Sequence, residues 1–261
     1  MREFVNYMLF GWYPYIAVTV LIVGSIFRFD KGQYTWRSQS SQFLRRRQMM
    51  IGSNLFHLGV IVILIGHFVG LLTPAAVFNF VGISHGFKQM MALIVGGIAG
   101  IFAFIGCSLL LHRRLFDARI RRSSMIGDIL VLVLIWFQLI LGLSTTLWTI
   151  NALDGHEMVL FMDWASGLTR LNPGASALII DTALVYKMHI VLGLTLFLIT
   201  PFTRLVHIWS APIWYLFRPG YQIVRSRAKS GASTTPTHGP AGLAPSFGGD
   251  AILRSHSESA Q

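Results

Sequence analysis

The sequence contains five long apolar segments, which constrain its fold more than any other feature. Each has about 22 to 26 residues, and an α-helix of that length crosses the ~30 Å hydrocarbon core of a bilayer. The segments are too long and too uniformly apolar to be the alternating strands of a membrane barrel. They predict an all-α integral membrane protein with a five-transmembrane-helix bundle. The predicted spans are Phe4–Phe27, Met49–Leu71, Met90–Leu111, Ile126–Ile150 and Ala183–Ile208.

Charged residues are divided unevenly among the loops. Only 12% of the chain is charged, yet the net charge is +11. Basic residues gather between the first and second spans, between the third and fourth, and after the fifth, whereas the other two loops and their edges contain only Lys88, Arg170 and Lys187. The positive-inside rule therefore predicts an outside (periplasmic) N-terminus and a cytoplasmic C-terminus. Because topology accounts for the positive charge, we predict contact with membrane lipid and no nucleic-acid partner.

Composition divides the chain into two regions. Residues 1–229 are predicted to form the transmembrane domain, and residues 230–261, rich in Gly, Ser, Pro and Ala, a disordered cytoplasmic tail. Between the last two spans, "DGHEMVLFMDWASGL" predicts a short helix at the outer surface. The single cysteine, Cys107, excludes an intramolecular disulfide and c-type haem attachment, and is predicted to be a buried, inert thiol.

Four histidines lie within the spans, His57 and His67 in the second and His189 and His207 in the fifth. Ionisable residues in a bilayer are costly and usually face a protein interior or a ligand. An interhelical hydrogen bond or an interfacial position would explain one such histidine, but it explains four on two helices less well. His85, by contrast, is predicted to be a solvent-exposed loop residue.

Depth in the membrane predicts how these histidines pair. The second span runs outward, so His67 lies ~15 Å further out than His57. The fifth span runs inward, and a continuous helix would place His207 ~27 Å further in than His189, on the same face. The predicted outer pair is His67 with His189, and the inner pair is His57 with His207. Two neutral imidazoles facing each other form a bis-histidine axial site for haem iron.

Other residues near the histidines have two interpretations each. Four glycines within a turn of them would let a flat macrocycle approach, or would serve ordinary helix packing. Arg114 and Arg204, at the predicted inner ends of the third and fifth spans, could pair with haem propionates. Ordinary snorkelling explains the arginines equally well. The glycines are Gly59, Gly66, Gly70 and Gly193.

Several stretches resemble the gamma subunit of respiratory nitrate reductase, a membrane cytochrome b. The resemblance covers about residues 4–228, and it includes the five-span layout and the histidine spacings of 10 and 18 residues. Its strongest stretches are "PFTRLVHIWSAP", "KMHIVLGLTLFL", "LLLHRRLFDARIR" and "HGFKQMMALIVGGIAG".

The resemblance implies a function beyond the geometry. It implies two haem b groups, with His67 and His189 matching the outer ligands and His57 and His207 the inner ones. It implies a multi-pass protein of the bacterial cytoplasmic (inner) membrane that oxidises quinol, menaquinol or ubiquinol, near the outer haem. Electrons would pass to an iron–sulphur beta subunit and then to a molybdenum-containing alpha subunit that reduces nitrate.

The resemblance also assigns a quinol site. Lys88 matches a lysine of that site, and Gly66 adjoins the outer haem ligand in the same region. An ammonium at Lys88 could donate a hydrogen bond to a quinol oxygen. An interfacial, snorkelling lysine is the competing interpretation.

Two other functions remain open at this point. A related gamma-type dihaem cytochrome b could serve a heterodisulfide- or sulfite-reductase-type partner, which co-purification would reveal. A haem-free transporter or membrane anchor would show no haem absorption.

Overall fold

The computed structural model describes residues 1–32, 46–150 and 155–210. All regular secondary structure in these residues is helical, and five of the helices are long and apolar enough to cross a membrane. The predicted all-helical, five-span architecture is confirmed, and the chain is a multi-pass membrane protein. The predicted boundary at residue 229 and the predicted tail lie outside the described residues, and the orientation of the termini stays a prediction.

The five spans are built from these elements. The first span consists of α1 (Arg2–Tyr7), a π-helical stretch (Met8–Trp12) and α2 (Tyr13–Gly32), and the second, third and fourth spans are α3 (Arg46–Leu72), α5 (His85–Phe116) and α7 (Ile126–Thr149). The fifth span is α9 (Leu184–Ile199), which is followed by 3-10 turns at Thr200–Phe202 and Arg204–Ser210. Between the spans lie the short helices α4 (Ala75–Phe80), α6 (Ala118–Ser123) and α8 (His156–Thr169) and a 3-10 helix (Pro173–Ile179).

The spans pack in an order that differs from their order in the sequence. The second packs on the third, the third on the fourth, the fourth on the fifth, and the fifth on the first. The second and fifth spans are not among the closely packed pairs of described elements. The two histidine-bearing spans therefore face each other without a tight helix–helix seam.

Glycines allow the second and third spans to approach backbone to backbone. A Cβ added at Gly59 would lie 2.4 Å from the carbonyl oxygen of Ala99, and one at Gly106 would lie 2.3 Å from the backbone nitrogen of Phe56. No real side chain tolerates such distances. This seam fixes the second span beside His57 and explains Gly59 by helix packing.

The fifth span is not the continuous helix that the sequence predicts to Ile208. Its α-helix ends at Ile199, and 3-10 turns continue from Thr200. The cause is Pro201, because a proline cannot donate the i→i−4 hydrogen bond and its ring clashes with the preceding turn. The expectation that His189 and His207 share one face of a straight helix ~27 Å apart is therefore wrong.

The loop between the fourth and fifth spans contains the predicted short helix, α8. The indole nitrogen of Trp164 donates to the Phe10 carbonyl oxygen at 2.9 Å, which attaches α8 to the first span.

The third span begins earlier than its apolar run. The Ser84 side chain accepts a hydrogen bond from the Phe87 backbone nitrogen at 3.2 Å and caps the helix. His85 is consequently a half-buried helical residue, so its prediction as an exposed loop residue is wrong. Cys107 is fully buried, as predicted.

Candidate functional site

The structure brings the four span histidines together as two pairs. The ring centroids of His67 and His189 are 6.1 Å apart, and those of His57 and His207 are 6.2 Å apart. Each pair joins the second span to the fifth, and these are the pairs that depth alone predicts. His207 follows the break at Pro201, so its position is not the one that a continuous α-helix would give it.

Three of the four imidazoles have the same hydrogen-bonding pattern at Nδ1. Nδ1 of His57 donates to the Ser53 carbonyl oxygen at 2.7 Å, and Nδ1 of His67 donates to that of Ile63 at 2.9 Å. Nδ1 of His207 donates to the Arg204 carbonyl oxygen at 2.6 Å. A carbonyl oxygen only accepts, so each ring carries its proton on Nδ1 and its lone pair on Nε2. A neutral imidazole in this tautomer is ready to bind a metal through Nε2.

His189 is held differently, by the fourth span. Nε2 of the Gln138 amide donates to the His189 carbonyl oxygen at 3.0 Å and lies 3.4 Å from Nε2 of the imidazole. A Cβ added at Gly142 would lie 3.0 Å from Cε1 of the same ring. The imidazole therefore packs closely on the glycine one turn beyond Gln138.

The glycines near His67 leave open space. A Cβ added at Gly66 or at Gly70 would meet no atom within 4 Å. At Gly193, by contrast, it would lie 3.1 Å from the Gln138 amide nitrogen. Open space therefore lies beside Gly66 and Gly70, whereas a protein side chain lies close to Gly193, and access of a ligand to these glycines stays a prediction.

The two predicted arginines meet at a buried carboxylate. Arg204 forms a two-pronged ion pair with Asp128, in which Nε donates to Oδ1 at 2.5 Å and Nη2 to Oδ2. Nη1 of Arg114 lies 3.7 Å from the same carboxylate and donates to the Ser124 hydroxyl at 3.1 Å. The cluster ties the third, fourth and fifth spans together and adjoins His207, because the Arg204 carbonyl accepts the His207 proton. Neither arginine simply reaches toward solvent, as snorkelling would require.

Lys88 lies in the first turn of the third span. Its Nζ is 4.0 Å from the centre of the Phe78 ring and 3.3 Å from the sulphur of Met162. Within the part of the chain that the structure describes, these soft, weakly polar partners leave the hydrogen-bonding capacity of the half-buried ammonium largely unused. α4, which carries Phe78, directly follows the end of the second span, so Lys88 lies at the same end of the bundle as His67.

Two residues of this region were not predicted from the sequence. Asp128 and Gln138 are polar residues within the largely apolar fourth span. The sequence feature that could have identified them is a polar residue within a membrane helix, because burying such a group in lipid costs free energy unless it has a partner on another helix. Sequence depth alone does not identify that partner.

The site differs from an ordinary protein metal centre. Within the described residues, no group of three or more His, Cys, Asp or Glu side chains could hold a metal ion. Paired imidazoles alone suit a metal whose other ligands come from a cofactor. The fold and the site together define a multi-pass membrane protein with two histidine pairs between its second and fifth spans.

Comparison with known proteins identifies the family. Residues 6–227 match the nitrate reductase gamma subunit family. The chain is 45% identical over 225 residues to the respiratory nitrate reductase 1 gamma chain of Escherichia coli, covering 86% of this chain and 99% of that one. It is 38% identical over 221 residues to the nitrate reductase gamma chain of Bacillus subtilis, covering 85% and 98%. The protein belongs to the nitrate reductase gamma subunit family.

Proposed function

We propose that this protein is the quinol-oxidising dihaem cytochrome b subunit of a respiratory nitrate reductase in a bacterial inner membrane. The observation that carries the proposal is the pair of histidine–histidine contacts between the second and fifth spans. Membership of the gamma subunit family supports the nitrate reductase assignment.

The spacing of each pair suits an iron ion between the rings. The ring centroids are 6.1 Å apart in one pair and 6.2 Å apart in the other. Because metal–imidazole bonds are about 2 Å long, these separations would leave room for one metal ion to be held by both rings of a pair. His67 and His189 would hold one haem, and His57 and His207 the other; bound there, the two haems would supply one-electron transfer across the bilayer.

The Asp128 cluster supports the site that contains His207. Two guanidinium groups, of Arg114 and Arg204, share one carboxylate, which leaves a net positive charge beside this histidine. Such a charge would favour a carboxylate group of a bound cofactor, for example a propionate. The fixed Arg204 backbone also holds the imidazole in the tautomer that presents Nε2.

The quinol would bind at the opposite end of the bundle, in the open space beside Gly66 and Gly70. Lys88 would donate a hydrogen bond from Nζ to a quinol oxygen, replacing its contact with the Met162 sulphur. This bond would stabilise negative charge that develops on the oxygen as quinol loses two protons and two electrons to become quinone. With the orientation that the positive-inside rule predicts, the protons leave on the periplasmic side.

The electrons would leave the chain at its cytoplasmic end. We propose an iron–sulphur beta subunit as the acceptor and a molybdenum-containing alpha subunit as the site where two electrons and two protons convert nitrate to nitrite and water. Because the protons are released outside and consumed inside, the reaction would separate charge across the membrane.

Single histidine variants test the proposal. We expect His67→Ala and His189→Ala to remove the same haem, and His57→Ala and His207→Ala to remove the other, as measured by haem content and reduced absorbance spectra of the purified chain. His112→Ala is the matched control, because His112 lies outside both pairs and contacts Phe116. A loss of one common haem from both second-span variants would contradict the pairing.

A further inference from the structure

Two buried polar atoms that have no hydrogen-bond partner among the described residues belong to side chains that touch each other. They are Nδ1 of His189 and Oε1 of Gln138. The side chains contact through the amide nitrogen of Gln138, which is 3.4 Å from Nε2 of His189. Buried polar groups are normally hydrogen-bonded, so two orphans at one contact require an explanation.

The arrangement of His189 is also incomplete as a metal ligand. A metal-binding histidine almost always donates its second ring N–H to an acceptor, which fixes the tautomer and the ring orientation. His57, His67 and His207 each have such an acceptor in a backbone carbonyl of their own span. Within the residues that the structure describes, Nδ1 of His189 has no such acceptor, and its Nε2 lies beside the Gln138 amide instead.

We propose that Gln138 is the positioning residue of the His67–His189 site. When the site is loaded, Nδ1–H of His189 donates to Oε1 of Gln138, and Nε2 is released to the metal. Rotation of the imidazole about its Cβ–Cγ bond, with adjustment of the amide, converts the two orphans into one hydrogen bond. This inference rests on the proposed haem-binding function.

The backbone around the two side chains favours this exchange. Gly142 lies one turn beyond Gln138 and has no side chain. Cε1 of the His189 imidazole can therefore lie 3.0 Å from the position that a Cβ at Gly142 would take. Gly193 lies one turn beyond His189 and gives the Gln138 amide equally close access, at 3.1 Å from a Cβ position. Glycine at both positions lets the amide and the imidazole lie side by side between the fourth and fifth spans.

The acceptor at Nδ1 should tune this haem alone. A stronger acceptor makes the imidazole a better donor to iron and favours the oxidised state, whereas loss of the acceptor does the opposite. The other three ligands each have a backbone carbonyl at Nδ1, which a side-chain substitution cannot remove, and Nδ1 of His57 also lies 3.2 Å from the Ser53 hydroxyl oxygen. At the His67–His189 site, the acceptor at position 138 belongs to a side chain and can be exchanged by mutation.

The test compares two substitutions in the purified full-length chain. Gln138→Glu keeps the side-chain length and supplies a carboxylate, and we expect it to lower the midpoint potential of the haem that His67→Ala removes. Gln138→Leu removes the acceptor, and we expect it to raise that potential and to weaken retention of this haem by about ten- to a hundredfold. Potentiometric titration followed by absorbance measures both effects, and the second haem should keep its potential.

Gln48→Leu is the matched control. The Gln48 amide donates to the Leu109 carbonyl oxygen at 3.2 Å and lies 3.4 Å from Nδ1 of His112. It thus makes the same two kinds of contact, but with a histidine outside both pairs. We expect both haem potentials to be unchanged in this variant.

Three results would overturn the inference. Unchanged potentials in both Gln138 variants, shifts in the same direction, or equal shifts of both haems would each show that Gln138 does not supply the Nδ1 acceptor. A wild-type chain without haem would overturn the proposed function itself. A wild-type chain with two haems that ignore Gln138 would overturn this inference alone.

Discussion

The ammonium group of Lys88 has unusual neighbours for a lysine. It lies against an aromatic ring and a thioether, and both are weaker partners than a quinol oxygen. A ligand that offers an oxygen could therefore displace Met162 without breaking a strong bond. This makes Lys88 a specific candidate for contact with substrate.

We expect Lys88→Ala to lower kcat/KM for quinol by about ten- to a hundredfold, because a hydrogen bond to a charged group contributes about 1.5–3 kcal/mol. Both haems should remain bound, since within the described residues the Lys88 ammonium contacts Phe78 and Met162 and none of the four histidines. Steady-state quinol oxidation by the intact complex measures the effect.

Lys187→Ala is the control for that experiment. Lys187 also lies near the start of a span at the predicted outer end, but its Nζ donates to the Ile180 carbonyl oxygen at 2.5 Å. An equal decrease in both variants would indicate a general effect of charge at this end and would contradict a specific role for Lys88.

The positions of the four histidines can be predicted from the sequence, but the residues that hold them cannot. Counting residues along each span gave the depth of His57, His67, His189 and His207, and depth was sufficient to pair them. Contacts such as Gln138 with His189 depend on the rotation of each helix about its axis. Depth carries no information on that rotation, so these contacts appeared only in the structure.

At the level of whole elements, the second and third spans approach each other backbone to backbone at a seam that contains Gly59 and Gly106. Because membrane helices associate through packing rather than through the hydrophobic effect, small residues at such a seam determine stability. The seam also places Phe56, and with it His57, at a fixed distance from the third span.

We expect Gly106→Ala to destabilise the protein by about 1–3 kcal/mol, the usual cost of overpacking a filled site. The added methyl would meet the backbone of Phe56, which cannot move aside as a flexible side chain would. Thermal unfolding in detergent measures the change. Gly96→Ala, in the same helix with no atom within 4 Å of its Cβ position, should leave Tm unchanged or slightly raised, and an equal Tm for the two variants would contradict the seam.

Four of the five spans follow the sequence prediction because hydrophobic length determines them. The fifth does not, and the difference has a local cause in Pro201. The apolar run continues through this residue, so hydropathy predicts one helix, whereas the missing N–H ends it. A Cβ at Gly24 of the first span would lie 2.9 Å from Cβ of Pro201, so the first span packs directly on the break.

In the whole molecule, the break in the fifth span and the packing order of the spans together determine where the four histidines lie. The second and fifth spans carry all four candidate ligands, and the third and fourth spans hold them through the glycine seam, Asp128 and Gln138. The family assignment fits this arrangement, since the match to the gamma subunit family spans residues 6–227 and includes every one of these residues.

The central claim is that the chain binds two haems through two histidine pairs. The most direct test is the haem-to-protein ratio of the purified full-length chain, combined with a redox titration followed by absorbance. We predict two b-type haems per chain and two separate one-electron transitions. A ratio of one or zero, or a single transition that accounts for all the haem, would contradict the account.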